Sequence, residues 1–174
     1  MMDITERRRA EEAVRRSEKE YRDLYGNMPD GFVSIDMTGR IREVNRSFEA
    51  ITGYTAEELR SMNYRDITPE KWLAMEEDII DTQVLTRGYS EIFEKEYRRK
   101  DGGLVPVELH TFVSCDKEGT PEKIWAIVRD ISERKKAEKA LQAGREEFRL
   151  VLASSLDAIL QMDPGGKLYA ANPA

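Results

Sequence analysis

Histidine and cysteine are almost missing from this chain of 174 residues: it has one of each, His110 and Cys115. A lone cysteine closes no internal disulfide, and a metal site would need ligands of other kinds. A lone histidine leaves little room for His-based acid–base chemistry or a histidine-held haem. No apolar run is long enough to span a bilayer. The N-terminus is polar and charged, unlike a signal peptide. Lys and Arg number 28 against 34 Asp and Glu, a net charge of −6 with no basic stripe to hold nucleic acid. A phosphate-cradling Gly-rich loop, a Walker lysine pattern and a Ser/His/Asp set are absent too. The expectation is a cytoplasmic segment that is not itself an enzyme and makes no membrane contact.

What is present, first of all, is a repeat. DITERRRAEEAV begins at Asp3 and DISERKKAEKAL at Asp130, and the offset of 127 residues runs without a gap to the end of the chain. Over 45 aligned positions, 13 are identical, including Asp30 with Asp157, Asp36 with Asp163, Gly39 with Gly166 and Asn45 with Asn172. Charged helices resemble one another by chance, but the later Asp, Gly and Asn do not fall in one register so easily. The period divides the chain into a linker helix (1–27), a domain (28–131), a second linker helix (132–155) and the start of a second domain (156–174). That last piece is expected to fray, or to be ordered by pairing with another strand edge.

Both linkers carry a seam in alternating steps of four and three: Ala10, Val14, Ser17, Tyr21, Leu24 and Met28, then Ala137, Leu141, Gly144, Phe148 and Val151. An amphipathic helix lying on its own domain fits this spacing, and so does a dimeric coiled coil. The dimer reading puts Val14, Tyr21, Leu24, Leu141 and Phe148 at the contact. Asp3 stands three residues before Glu6, and Asp130 three before Glu133, the spacing of a capping box at each helix start.

Between the linkers, GFVSID from Gly31 and Ile41 to Val44 flank Thr38-Gly39, a hairpin pattern. Phe48, Ile51 and Tyr54 mark a short helix broken by Gly53, and Thr55-Ala-Glu-Glu58 marks a second, capped one. Pro69 opens a longer helix that ends near Gly88. Strands follow at 90–99, 104–116 and 122–131, turning at Asp101-Gly102 and Glu118-Gly119. Hairpin-length connections make the sheet antiparallel, and helices grouped mid-chain make an α+β domain with its helices on one face.

In that order, the motifs resemble the PAS family. The residues that carry the likeness are Asp36, Gly39 and Asn45; Phe48-x-x-Ile51-Thr-Gly-Tyr54-x-x-Glu57-Glu-Leu59; Glu96-Tyr-Arg-Arg-Lys-Asp101-Gly with Pro106-Val-Glu108; and the exit segment Asp130-Ile-Ser-Glu-Arg134. The resemblance implies a five-stranded antiparallel sheet around a small pocket, flanked by amphipathic linker helices. It also implies a sensory and relay role in a larger bacterial- or archaeal-type signalling protein. The output domain, a histidine kinase or cyclic-dinucleotide enzyme, would lie elsewhere, and the partners would be a second copy and neighbouring PAS and output domains. Trp125, Asp130, Glu133 and Arg134 would carry the relay.

Flavin-binding relatives carry an Asn-Cys pair where this chain has Asn63-Tyr64-Arg65-Asp66, and haem-binding relatives a helical His that is missing between Phe48 and Gly88. The cofactor is therefore unknown, with a small organic ligand still open. Asn45, Phe48, Ile51, Tyr54, Trp72, Tyr97 and Leu109 are the pocket candidates, and the same residues suit a filled core. No convergent charged group marks the site, and Glu76-Glu77-Asp78 reads as solvated helix surface. His110 falls with the polar face of its strand, Cys115 at a strand end, and Trp125 on a sheet surface that a linker helix or partner chain would cover. A ligand-free spacer and dimerisation module is the competing function.

Overall fold

The computed structural model describes residues 26–154, together with the backbone of two strands near the C-terminus. Two units separate within the chain, one ending at Ser132 and the other starting at Glu133. In the first, β1 (Gly31–Asp36) and β2 (Ile41–Val44) form the expected hairpin. Helices α1 (Arg46–Thr52), α2 (Ala56–Arg60) and α3 (Tyr64–Ile67) follow, and α4 (Glu70–Ile79) runs through a π-helical turn, Ile80–Val84, into α5 (Leu85–Arg87). Strands β3 (Phe93–Arg98), β4 (Leu104–Cys115) and β5 (Pro121–Asp130) complete an antiparallel sheet of order β2-β1-β5-β4-β3.

Strand parity builds the core. Val33, Ile35, Val107, Leu109, Ile124 and Val128 point inward and are buried against Phe48, Leu59, Ile67 and Val84 of the helices. The opposite parity exposes a ladder of rings on the other face. There Phe112 stacks on Trp125 at 4.3 Å, and His110 lies against Phe112 at 4.2 Å between centroids.

Local chemistry sets the short helices. Thr55 accepts from the Glu58 N–H while the Glu58 carboxylate accepts from the Thr55 N–H, the capping box read from sequence. Asn63 and Asp66 repeat that arrangement at α3. Gly88, in the left-handed region at φ 96°, ends the long helix. Pro69 stands one residue before that helix rather than inside its first turn.

The β1–β2 turn docks on α3, because the Gly39 carbonyl accepts from the Tyr64 N–H at 3.0 Å. Gly39 sits at φ 84°, and a Cβ there would lie 2.9 Å from the Tyr64 ring. Strain and clash act together, so Gly39→Ala should cost about 2 kcal/mol, read by urea denaturation. The turn is held by Asp36, whose Oδ1 accepts from Thr38 Oγ1 at 2.5 Å and from the Thr38 and Arg40 N–H groups, while Oδ2 pairs with Arg42. These bonds, the Thr38 hydroxyl first, outweigh desolvation and hold the carboxyl down to about 2, against an ordinary 3.8. A lowered carboxyl adds stability above its unfolded value and loses it as protons return. About 1 kcal/mol should therefore disappear as pH falls from about 4 to 2, solvent screening included. Asp36→Asn should flatten that limb of an acid titration followed by circular dichroism.

In the second unit, α6 (Ser132–Ser154) is followed by β6 (Leu160–Met162) and β7 (Leu168–Ala171), paired antiparallel with each other. The partners are Leu160 with Ala171, Gln161 with Ala170 and Met162 with Leu168, with an irregularity between Gln161 and Met162. In β1–β2 they are Val33 with Val44, Ser34 with Glu43 and Ile35 with Ile41, with the irregularity between Ser34 and Ile35.

Candidate functional site

A small void remains between the inner sheet face and the helices. It measures about 30 Å³, room for one or two water molecules. Phe48, Tyr64, Glu76, Ile80, Tyr97 and Leu109 are among its walls. Tyr64 comes from α3, Glu76 from α4 and Ile80 from the π-helical turn, while β1 and β3 to β5 supply the floor.

Beside the void lies a buried ion pair. Lys95 Nζ donates to both carboxylate oxygens of Glu76 at 2.5 Å and to Thr68 Oγ1 at 3.0 Å. The Lys95 side chain is fully buried and that of Glu76 is 8% exposed. Nζ also sits 4.3 Å from the centre of the Tyr97 ring, whose edge meets Phe48. Burial lowers the Lys95 ammonium despite its partner, because desolvation penalises the charged form. Burial and then the Glu76 charge push the Tyr64 phenol up to about 12 and the Tyr97 phenol well above its usual range.

Of the seven pocket candidates, the fold brings Phe48, Tyr97 and Leu109 to the void. The others stand apart from it. Asn45 is buried at the start of α1, and Ile51 and Tyr54 pack elsewhere on the core. Trp72 is half-buried, with its Nε1–H on Glu96 at 3.2 Å. Two expectations fail: Glu76 is buried core rather than solvated surface, and a charged group does line the void. Glu77 stays on the surface, paired with Arg65. The alternation Phe93-x-Lys95-x-Tyr97 on β3 already puts Lys95 on the inner face, a parity signal that finds it from sequence. Nothing local marks Glu76 or the π-helical turn.

The exit lies next to the entry. β1 and β5 are neighbours, with Gly31 opposite Val128. Arg129 pairs with Asp30 at 2.8 Å, and Asn45 Nδ2 donates to the Asp30 carbonyl at 3.0 Å. Ile131 is buried, and its N–H bonds the Pro106 carbonyl at 3.1 Å. Asp130 Oδ1 accepts from the Ser132 N–H at 2.8 Å, while Glu133 pairs with Lys136. In place of the expected Asp130–Glu133 capping box, Asp130 bonds two residues on, because β5 keeps Asp130 in the strand. Arg134 is exposed on α6. Trp125 lies on the outer face, its Nε1–H on Ser114 Oγ at 3.1 Å. Cys115 is exposed, and among the described residues no His, Cys, Asp and Glu group could hold a metal. Of the dimer-seam residues, Leu141 and Phe148 are exposed on α6, and Val14, Tyr21 and Leu24 lie outside the described residues.

Comparison with known proteins decides the family. A family model described as the PAS fold matches residues 25–136. The chain belongs to the PAS-fold family. The PAS domain of a protein from Colwellia psychrerythraea superposes with a TM-score of 0.63 at 19% identity, covering 67% of this chain and 98% of that one. The sensor histidine kinase TmoS of Ectopseudomonas mendocina is 26% identical over 82% of this chain, and sporulation kinase C of Bacillus subtilis 28% identical over 78%. This chain spans only 15% and 32% of those relatives' lengths. It is a PAS sensory domain, similar to segments of these sensor and sporulation kinases. No helix among the described residues is long and apolar enough to cross a membrane.

Proposed function

We propose that this PAS domain responds to a small molecule in the void and passes the response to α6 and an output domain beyond. The observation that carries this reading is that β5 lines the void with Ile124 and Ala126 and then runs through Asp130 and the anchored Ile131 to the helix. A second route starts at Phe48 on the void, passes Asn45 at the head of the same helix, and reaches Asp30 and Arg129 at the entry and exit. Trp125, Glu133 and Arg134 flank that exit. The ligand need only favour one of two exit arrangements. A compound retained through purification and found by mass spectrometry, or one that raises Tm on addition, would support the reading. A chain that retains nothing and is stabilised by no compound of a metabolite panel would sink it.

The segment after α6 is read as the start of a second PAS copy. The β6–β7 pairing repeats the β1–β2 register at the same offset of 127, including the position of its irregularity. A homodimer through the linkers is read from the exposed Leu141 and Phe148. Leu141→Arg with Phe148→Arg should convert a dimer to a monomer in sedimentation, and a dimer unchanged by both would rule the seam out. The small size of the void favours the alternative, a ligand-free spacer and dimerisation module, and the same stabilisation screen separates the two.

A further inference from the structure

The void shares part of its wall with a larger opening. A surface cleft of about 320 Å³ lies between the β1–β2 turn and α4, and it shares Ile35, Tyr64, Ile80 and Ile124 with the void. Tyr64 and the π-turn residue Ile80 stand where the two meet. A π-helical turn in an α-helix is uncommon and costs regular hydrogen bonding, so its place at this junction gives it a use.

The hydrogen-bond inventory inside restricts what could sit there. Lys95 has three N–H donors, and the two Glu76 oxygens and Thr68 take all three. An anion entering the void would find no free donor on it. The pair is already neutral, so a cation would add an uncompensated buried charge. Glu76 has about four lone-pair sites, and Lys95 at its two oxygens accounts for two, because the single Thr68 hydroxyl proton goes to the Tyr64 carbonyl at 2.9 Å. Acceptor sites therefore remain on a carboxylate that borders the void. Around it, Phe48, Ile80 and Leu109 offer apolar surface. At the outer cleft Asp36 and Glu77 are paired with Arg42 and Arg65, which leaves the Asp81 carboxylate to disfavour anions.

We propose that the cavity takes a small uncharged molecule of the alcohol class, its hydroxyl donating to Glu76 and its apolar body against Phe48, Ile80 and Leu109, entering from the outer cleft past Tyr64. This rests on the reading of the void as a ligand pocket and adds the ligand's chemistry.

The test titrates the full 174-residue chain with four probes small enough for the void: methanol, fluoromethane, formate and methylammonium. Methyl resonances of Ile35, Ile80 and Ile124 report occupancy. Methanol should shift them saturably and bind at least about tenfold more tightly than each of the others, the worth of one hydrogen bond to a charged acceptor. Replacing the ion pair with apolar residues of similar shape, Glu76→Leu with Lys95→Met, should bring methanol and fluoromethane to near parity. Equal or tighter binding of fluoromethane or either ion to the native chain, or a methanol preference that survives the double substitution, overturns the ligand class and leaves the pocket reading standing. Methyl groups unmoved by all four probes overturn both.

Discussion

Glu76→Ala should destabilise the domain by about 3–5 kcal/mol, a large share of the stability of a domain this size. The cost is not the loss of an attraction alone. Lys95 stays behind, fully buried with Thr68 as its remaining hydrogen-bond partner, and an unpaired charge in the core must either lose its proton or draw water inward. Lys95→Met should cost a similar amount, since it strands the Glu76 carboxylate. Glu76→Leu with Lys95→Met together should fall within about 1 kcal/mol of the native chain, because apolar replacement removes both desolvation penalties at once. Urea denaturation of the three variants closes the cycle. Two single losses that add up in the double variant would mean the groups act independently, contrary to the geometry.

Asn45→Ala should cost about 3 kcal/mol. One buried side chain serves three backbone groups: Oδ1 accepts from the Phe32 N–H at 2.8 Å and the Phe48 N–H at 3.0 Å, and Nδ2 donates to the Asp30 carbonyl. Truncation strips α1 of its cap and leaves the Phe32 N–H and the Asp30 carbonyl without these bonds. Asn45→Asp keeps both acceptors and loses only the donor, so its cost should be intermediate. Hydrogen exchange should localise the loss, with the Phe32 and Phe48 amides deprotected in Asn45→Ala and protected in Asn45→Asp. Equal effects of the two substitutions would show that the Asp30 bond dominates.

Asn45 and Glu76 also mark how far sequence reasoning reaches. Asn45 announces itself by position, a helix-capping residue directly after a strand, and the repeat returns it as Asn172. What it binds across 13 and 15 residues is visible only in the fold. Glu76 announces nothing. Its neighbours Glu77 and Asp78 are surface residues, and the run of three acids reads as one solvated patch. Trp72 misleads in the other direction: a large aromatic in a helix reads as pocket wall, but the α4 helix turns it toward Glu96.

By itself the sequence determined the order of elements, the turns at Gly39, Gly102 and Gly119, the capped helix at Thr55, the inward parity of the strands and the family. Each depends on residues a few positions apart, where caps, glycine φ angles and strand alternation act. Tertiary structure alone decided that Glu76 and Lys95 meet in the core, that a π-helical turn brings Ile80 to the void, and how small that void is. Whether a charge can be buried depends on a partner arriving from 19 residues away. Cavity size depends on how residues from eight elements fill one space, and neither quantity has a local signature.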